Sequence, residues 1–427
     1  MADIVVDVIV QIGGDDIPAG RLWAHTSRGV ESATFEYLPD YLSRSDSYEL
    51  DPLLPKVAGQ QQTSAGHALF GAFSDAAPDG WGRRLIRREE IRSARAEHRT
   101  PRATTEVDFL LGVRDDLRQG ALRFWEPGTG TFLAAASSGV PHLIRLPRLL
   151  NAAEQLEHED ESDEDLRLLL EGGSSLGGAR PKAHVEDQDG ALGIAKFPAP
   201  AGDEWDVTSW EAVALTLAHD AGITIPTFKL EIVAGKPVLI VRRFDRSNDE
   251  RIGYVSAMTM LEASDGDQGS YVEIAEAVEE HSPSAAVDLR QLWRRIVFSR
   301  LISNTDDHLR NHGFLRTSTA GWSLSPAFDL NPNPQPGGKR FSTAVDHGRD
   351  TDDDLIVALE VAELFRLRRD DALNVLAETL RVTSQWRVAA KAVGLPMSEI
   401  ERMSGAFESA SADTAQRVVS HGTAAGR

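Results

Sequence analysis

The sequence contains no cysteine among its 427 residues. Disulfide bonds, zinc sites built on thiolates and cysteine nucleophiles are therefore excluded. It also lacks any apolar run that approaches the ~20 residues needed to span a bilayer. No basic leader precedes the first apolar residues, so a signal peptide is not expected. These absences predict a soluble, cytoplasmic protein with no membrane partner.

Positive charge is scarce as well. Lysine and arginine number 45 against 66 aspartates and glutamates, which gives a formal net charge of -21. Binding to nucleic-acid phosphates depends on a basic face, so the composition disfavours direct binding of DNA or RNA over the whole surface. A local basic groove remains open. The length predicts two or three domains with ample material for a packed core.

Six arginines nevertheless cluster in residues 81–98, which we predict to be one helix. The favoured interpretation is a solvated face, or internal pairing with the many acids of the chain. The alternative is a docking face for an acidic partner.

The chain divides into an opening β-rich part and a longer body. Residues 3–12 are rich in valine and isoleucine and predict a strand, and a helix is predicted over residues 65–73. Residues 126–140 resemble a linker, and an acidic run follows at 154–165. We therefore expect domains at 1–140 and 150–427. After residue 246 the pattern is largely helical, and residues 409–427 are expected to be frayed.

A glycine-rich loop opens the body at residues 171–182. It runs into a predicted hairpin that turns at Asp189 and Gly190. Glycine lets the backbone approach phosphates closely because it has no Cβ. The loop is not a P-loop, since no Gly-Lys-Ser/Thr opens a helix. An ordinary glycine loop is an equally good interpretation of this stretch alone.

Lys196 lies among apolar neighbours on the second strand of that hairpin. A lysine there is costly to bury without an anion, and a strand lysine that reaches ATP phosphates fits the placement. Glu211 opens a predicted helix over residues 211–221 and could orient Lys196, as an ion pair does in kinases. An ordinary acid favoured by the helix dipole is the alternative.

The densest polar chemistry lies in residues 304–315, followed by residues 324–330. Asp306 could accept a proton from an attacking hydroxyl. Asn311 and Asp329 offer hard oxygen ligands that suit magnesium. Phosphoryl transfer requires this set of one base and two metal ligands. A solvated acidic turn is the alternative, but the full cluster, flanked by strand-like runs, favours catalysis.

Several segments resemble the HipA family of bacterial serine/threonine kinases, the toxins of type II toxin–antitoxin modules. The segments that carry the resemblance are residues 73–80, 108–112, 119–122, 175–182, 194–198, 241–246, 305–311 and 328–329. The order Asp-x-His-x-x-Asn is similar to that of phosphatidylinositol kinases. The resemblance implies an α+β fold in which a small β-rich N-terminal subdomain precedes a kinase-like two-lobed body. Its β-rich lobe would span about 172–245 and its helical C-terminal lobe about 250–425, with a phosphatidylinositol-kinase-like active site between them.

The resemblance also implies roles for individual residues. Asp306 would be the proton acceptor, Asn311 and Asp329 would hold Mg²⁺, and Lys196 would contact the phosphates of ATP. The remaining nucleotide-site residues would be the loop residues Gly177, Gly178, Ala179, Arg180, Pro181 and Lys182, the adenine-contacting backbone of Arg242, Arg243 and Phe244, the ribose neighbours Asp245 and His308, and Phe328. Ser175 matches the serine that the family autophosphorylates.

The partners implied by the resemblance are a helix-turn-helix antitoxin and a protein substrate, with an aminoacyl-tRNA synthetase as the family's suggestion. DNA would be reached only through the antitoxin. Two alternatives stay open. The chain could be a catalytically weak co-repressor that acts through its antitoxin. A metal-dependent phosphohydrolase is the other alternative, but it needs more metal ligands near Asp306 than the sequence offers.

Overall fold

The computed structural model describes residues 4–135, 139–173, 178–200, 202–247, 250–337, 339–348 and 353–425. The strands in these ranges are β1 Ile4–Ile12, β2 Asp15–Ser27, β3 Val30–Tyr37, β4 Gln60–Gln62, β5 Leu122–Trp125, β6 Lys182–Glu186, β7 Leu192–Lys196, β8 Phe228–Val233, β9 Lys236–Arg242, β10 Arg246–Ser247, β11 Glu250–Arg251, β12 Gly253–Ser256, β13 Gly313–Ser318 and β14 Gly321–Leu324.

The helices in the same ranges are α1 Pro39–Ser43, α2 Gly71–Asp75, α3 Gly80–Ala96, α4 Glu106–Gly112, α5 Leu146–Glu157, α6 Asp163–Glu171, α7 Val207–Asp220, α8 Ala257–Met260, α9 Tyr271–His281, α10 Ala285–Leu301, α11 Asp354–Glu360, α12 Arg369–Thr383, α13 Trp386–Ala392, α14 Met397–Arg402, α15 Ser404–Phe407 and α16 Ala410–Ala425. None of these helices combines the length and hydrophobicity that crossing a bilayer requires.

An antiparallel sheet in the order β4-β3-β2-β1-β5 dominates the N-terminal unit, which we define as residues 4–135. Val6, Val8 and Val10 of β1 alternate onto one buried face, as the period of two in a strand requires. The strand predicted over residues 3–12 is therefore confirmed. The predicted helix at 65–73 is wrong except at its end, because residues 64–70 cross to the body instead. His67 Nε2 lies 3.2 Å from Ser264 Oγ in that crossing.

The body begins with a four-stranded antiparallel sheet in the order β6-β7-β9-β8. The predicted hairpin is confirmed, and its register sets Lys182 directly opposite Lys196. Helix α7 packs on β9, where Val213 and Leu217 join Leu239 and Val241 in one buried cluster. Helix α7 thus lies against the sheet that carries the two lysines.

A second sheet, β12-β13-β14, lies in the part that we predicted to be largely helical. Its strands have four to six residues, and β12 pairs with a partner about sixty positions later along the chain. So short a pairing has little local signal, and tertiary contact decides it. Strand β13 begins at Gly313, two residues after Asn311, and therefore fixes the end of the predicted catalytic loop.

The C-terminal segment was predicted to be frayed, and this is wrong for residues 410–425. They form α16, which packs against α10, α11 and α12 and buries Ala415 completely. Alanine has high helix propensity and allows close helix packing, and the low hydrophobicity of the segment concealed this.

The basic helix α3 pairs internally, as the favoured interpretation predicted. Arg83 donates to Glu106 at 2.5 Å, Arg84 to Glu157 at 2.6 Å and Arg88 to Glu159 at 2.9 Å. These ion pairs join α3 to the segments around α4 and α5.

The tightest contact in the N-terminal sheet is at Gly20. A Cβ there would lie 2.3 Å from Phe35 Cζ and 2.5 Å from the backbone oxygen of Glu36. We expect Gly20→Ala to lower the free energy of unfolding by about 2 to 3 kcal/mol, because the sheet must shift to relieve the overlap. Urea unfolding measures this. Gly139→Ala is the control, since no atom of the described part of the chain lies within 4 Å of a Cβ at that position. Equal midpoints for the two variants would contradict the prediction.

Candidate active site

A cleft of about 750 Å³ lies where the four-stranded sheet, helix α7, the second sheet and the N-terminal unit meet. This volume is within the usual range for sites of drug-sized ligands and nucleotides. The predicted site residues that line it are Gly178, Lys182, Lys196, Arg242, Arg243, Phe244, Asp245, His308, Asn311, Phe328 and Asp329. A neighbouring cavity of about 420 Å³ shares His308 and Arg310 with it.

Lys196 links two acids from distant parts of the chain. Its Nζ donates to Glu211 Oε1 at 2.5 Å and to Asp329 Oδ1 at 2.9 Å. Burial by itself would lower the pKa of Lys196, but the two carboxylates raise it above its usual value. Burial raises the pKa of Asp329 in turn, yet Lys196 and Lys182 bring it down to about 2. The pairing with Glu211 that the sequence left open is therefore present. Burial raises the pKa of Glu211, and Lys196 is the largest charge that opposes this shift.

Lys182 is a second buried lysine on the same side of the sheet, directly across from Lys196. Its side chain is 8% exposed, and burial lowers its pKa. Within the described residues, its ammonium donates one hydrogen bond, to Gly178 O at 3.3 Å. Opposed lysines on one face of a sheet repel each other. Their arrangement at a cleft therefore favours an anionic ligand.

Adjacent aspartates of the loop at residues 304–312 have opposite environments. Asp307 is buried and accepts hydrogen bonds from Tyr271 and, at 2.9 Å, from Ser299 Oγ. His312 Nε2 lies 3.1 Å from its other oxygen. Burial alone would raise the pKa of Asp307, but His312, Tyr271 and Ser299 bring it well below its usual range. Asp307 therefore anchors the loop to α9 and α10.

Asp306 is exposed, so the loop leaves its carboxylate accessible from the solvent. Partial burial raises its pKa, His308 opposes the shift, and Asp329 adds to it. The residue does not line the main cleft in the described structure, although His308 and Asn311 on the same loop do. A raised pKa makes a carboxylate a stronger proton acceptor.

Asn311 and Asp329 present oxygen atoms that suit magnesium. Asn311 Nδ2 donates to the backbone oxygen of Asp306 at 3.1 Å, which turns its carboxamide oxygen away from that contact. Asp329 Oδ1 bonds Lys196 and Asn331 Nδ2, at 2.9 and 3.2 Å, and its Oδ2 lies outside those contacts. Two hard oxygens fit Mg²⁺ when phosphate and water supply the other ligands. The described residues contain no cluster of three histidine or acidic ligands.

Asp329 has a backbone φ of 57°, in the left-handed region that non-glycine residues rarely adopt. Such strain persists only where the surroundings hold it, and it clusters at functional sites. Here the bonds to Lys196 and Asn331 hold the side chain.

The predicted adenine-contacting segment follows β9. The backbone nitrogens of Arg242 and Arg243 donate to the carbonyls of Thr227 and Leu192 at 2.8 and 2.9 Å. The Arg242 side chain is exposed, and Phe244 lies 5.5 Å from Phe328 between ring centroids. These two rings form an apolar surface in the cleft. Their contact with adenine stays a prediction.

Asp245 has an unexpected set of partners. It accepts hydrogen bonds from Arg243 at 2.6 Å, from Arg246 at 2.8 Å and from the Gly120 nitrogen at 2.8 Å. Burial would raise its pKa, but the two arginines bring it below its usual range. The residue joins the segment after β9 to the N-terminal unit, and its place near a ribose stays a prediction.

Residues 174–177 of the glycine-rich loop lie outside the described residues, and Ser175 and Gly177 are among them. Arg180 pairs with Asp203 at 2.7 Å, and the Pro181 carbonyl accepts from the Phe197 nitrogen at 3.0 Å. Ala179 lies against Gly80. The second half of the loop is thus held by both β7 and the N-terminal unit.

Sequence reasoning missed the contribution of the N-terminal unit to the cleft. Asp75 accepts from the Ser256 nitrogen at 2.6 Å and lies 3.6 Å from Arg310. Asp79 lines the cleft, and burial raises its pKa to about 7. The sequence analysis used residues 73–80 for the family resemblance and gave them no role in the site, although Asp79 beside Gly80 at the start of the predicted basic helix was a usable signal.

Comparison with known proteins gives two family matches. The model described as the HipA-like C-terminal domain matches residues 174–405, and the one described as the HipA N-terminal domain matches residues 10–124. The C-terminal match alone covers more than half of the chain.

Individual proteins are more distant. The fold is similar to that in a Shewanella oneidensis complex of HipA, HipB and operator DNA, with a TM-score of 0.64 and 13% identity over 97% of this chain and 99% of that one. A Haemophilus influenzae protein provisionally named a kinase is 24% identical over 38% of this chain and 54% of its own length. A Sinorhizobium fredii protein with the same provisional name is 26% identical over 41% of this chain and 50% of its own. The chain spans about half the length of the curated relatives it matches.

Neutralising each of the two adjacent aspartates should change the free energy of unfolding by very different amounts. We expect Asp307→Asn to lower the free energy of unfolding by about 3 kcal/mol, because it breaks a buried network. The pKa of Asp307 is depressed on folding, so this stabilisation should be present above about pH 4 and lost as the pH falls.

Asp306→Asn is the matched control, since its pKa is raised on folding and its charge does not stabilise the fold. Its unfolding free energy should stay within about 0.5 kcal/mol of the wild type. Urea unfolding at several pH values measures both variants. A larger loss in Asp306→Asn than in Asp307→Asn would reverse our assignment.

Proposed function

The chain belongs to the HipA family, and from this membership and the geometry of its cleft we propose that it is an ATP-dependent protein kinase acting on serine or threonine. The observation that carries the proposal is the bridge from Lys196 to both Glu211 and Asp329. A strand lysine paired with a helix glutamate and with a metal-binding aspartate is the arrangement that kinases use on phosphates. The provisional kinase names of two relatives support the same activity.

The residues of the cleft and the nearby Asp306 have distinct roles in the proposed phosphoryl transfer. Lys196 and Lys182 bind phosphate oxygens of ATP, and Glu211 orients Lys196. The acceptor hydroxyl oxygen attacks the γ-phosphorus, the bond from that phosphorus to the β–γ bridging oxygen breaks, and ADP leaves. The hydroxyl proton passes to the carboxylate of Asp306, whose pKa is raised by burial and by Asp329.

Asn311 and Asp329 would hold magnesium, which would supply neutralisation of the phosphate charge. Phe244 and Phe328 offer apolar surface to the adenine, and His308 and Asp245 lie towards the ribose in this assignment. The proposed lobes are a β-rich one over about 172–245 and a helical one over about 250–425, within domains at 1–140 and 150–427. Their active site would be of the phosphatidylinositol-kinase type.

The proposed biological role is growth arrest. The target would be a protein of the cytoplasm, with an aminoacyl-tRNA synthetase as the family's suggestion, and autophosphorylation of Ser175 would inactivate the enzyme. A phosphoserine adds about two negative charges beside the nucleotide site. A helix-turn-helix antitoxin would neutralise the kinase and carry it to DNA. The likeness to a protein found in complex with HipB and operator DNA supports this partner, and so does the net charge of -21.

Asp306→Ala should abolish phosphoryl transfer. Purified protein is incubated with labelled ATP and Mg²⁺, and the peptide of residues 174–182 is analysed by mass spectrometry. We expect label on Ser175 in the wild type and a loss of about 100-fold or more in the variant, because the proton acceptor is gone. Asp160→Ala, an exposed acid between α5 and α6, is the control. Folded wild-type protein, unphosphorylated at Ser175, that neither binds ATP nor takes up label would contradict the kinase and favour the co-repressor.

Lys196→Met tests whether this lysine binds ATP, in protein that circular dichroism first shows to be folded. The variant loses the cation between Glu211 and Asp329, so we expect ATP affinity to fall by about tenfold or more and turnover by about 100-fold or more. Calorimetric titration with Mg-ATP and a turnover assay measure these effects. Lys229→Met removes an exposed lysine of β8 that pairs with Glu231, and it should change neither value. ATP affinity that survives in Lys196→Met would sink the assigned role of this lysine.

A further inference from the structure

The N-terminal unit supplies one wall of the cleft through residues 78–80, where the connection from α2 enters the start of α3. Pro78, Asp79 and Gly80 all line the cavity. Facing them is the end of the glycine-rich loop, from Gly178 to Lys182. Nothing in the proposed kinase mechanism uses this wall so far.

Trp81 holds the loop by two hydrogen bonds. Its backbone nitrogen donates to Gly178 O at 3.3 Å, and its indole Nε1 donates to Lys182 O at 2.8 Å. Trp81 is 1% exposed, and the indole bond to Lys182 is buried. Gly80 lies so close that a Cβ there would be 3.2 Å from Ala179 Cα, tighter than most real contacts. The start of α3 and the end of the loop therefore form one packed contact.

Asp79 lines the same cleft as Lys182. Its Oδ1 is buried and has no hydrogen-bond partner within the described residues. Burial raises the pKa of Asp79 to about 7, and Lys182 is the strongest opposing charge. The converse also holds, since burial lowers the pKa of Lys182 and Asp79 is the largest charge that opposes this. A buried unpaired oxygen is costly, which indicates a partner that the side chain is placed to meet.

We propose that Asp79 and Trp81 are positioning residues for Lys182, so that the N-terminal unit completes the phosphoryl-transfer site. Trp81 holds the backbone of Lys182, and Asp79 directs its ammonium towards the phosphates. The catalytic consequence of this inference rests on the proposed kinase function. The hydrogen bonds from Trp81 to the loop do not depend on ATP. Neither residue touches the reacting atoms in this assignment.

The test uses full-length protein and two variants that change single interactions. Trp81→Phe removes the indole N–H and keeps an aromatic ring, and Asp79→Asn removes the charge at constant size. Trp125→Phe is matched to the first, because the buried Trp125 indole nitrogen has no hydrogen-bond partner among the described residues. Asp160→Asn is matched to the second, because Asp160 is exposed and is not among the residues that line the cleft.

Two measurements are made on each variant. Hydrogen exchange without nucleotide reports the hold on residues 178–186, and steady-state kinetics give KM for ATP and kcat. We expect exchange at these amides to rise about tenfold in Trp81→Phe, because opening of the loop costs less. We expect kcat to fall about tenfold in Asp79→Asn with KM changed less than about threefold, because a misplaced group costs rate rather than ground-state binding.

Unchanged exchange in Trp81→Phe together with unchanged kcat in Asp79→Asn would overturn the proposal. A fall in kcat that comes with an equal loss of folded protein would also overturn it, since this indicates a structural role only. Wild-type protein that turns over no ATP would remove the proposed function instead. Exchange in Trp81→Phe and Asp79→Asn would then decide whether the N-terminal unit holds the loop.

Discussion

The structure depends on one charge bridge, in which Lys196 pairs with Glu211 and Asp329. The lysine comes from β7, the glutamate from α7 and the aspartate from the segment after β14. A buried cation is stable only with anions beside it, so the sheet, the helix and the second sheet must close around this point together. The same bridge leaves Lys182 without an ion-pair partner in the described residues, which makes this edge of the sheet a site for anions.

A second buried network connects the N-terminal unit to the body. The Gly172 carbonyl accepts from His184 Nδ1, and the other ring nitrogen of His184 lies 3.1 Å from Arg243 Nη1. Arg243 pairs with Asp245, which accepts from the Gly120 nitrogen. Burial lowers the pKa of His184 well below its usual value, so the ring is neutral and can accept from Arg243. The base of the glycine-rich loop, the segment after β9 and the N-terminal unit therefore share one rigid junction.

Much of the site was predictable because its signals are local. A few consecutive residues are enough to recognise each of three features. These are Lys196 between apolar neighbours, the glycine-rich loop before a hairpin and the polar residues around Asn311. The sequence analysis assigned the proton-acceptor role to Asp306, but it gave no role to the adjacent Asp307. Only the packing of Tyr271 and Ser299 against Asp307 reveals which acid is structural.

The sequence by itself determined the residue types of the site, the hairpin that carries Lys196 and the family to which the chain belongs. Tertiary structure alone decided the β12-β13-β14 sheet, the helix α16 and the place of Asp79 in the cleft. The physical reason is the range of the interactions. Hydrophobic period and turn chemistry act over a few residues, whereas Asp79 and Lys182 are about a hundred residues apart in the chain. Their approach depends on the close packing of Gly80 against Ala179.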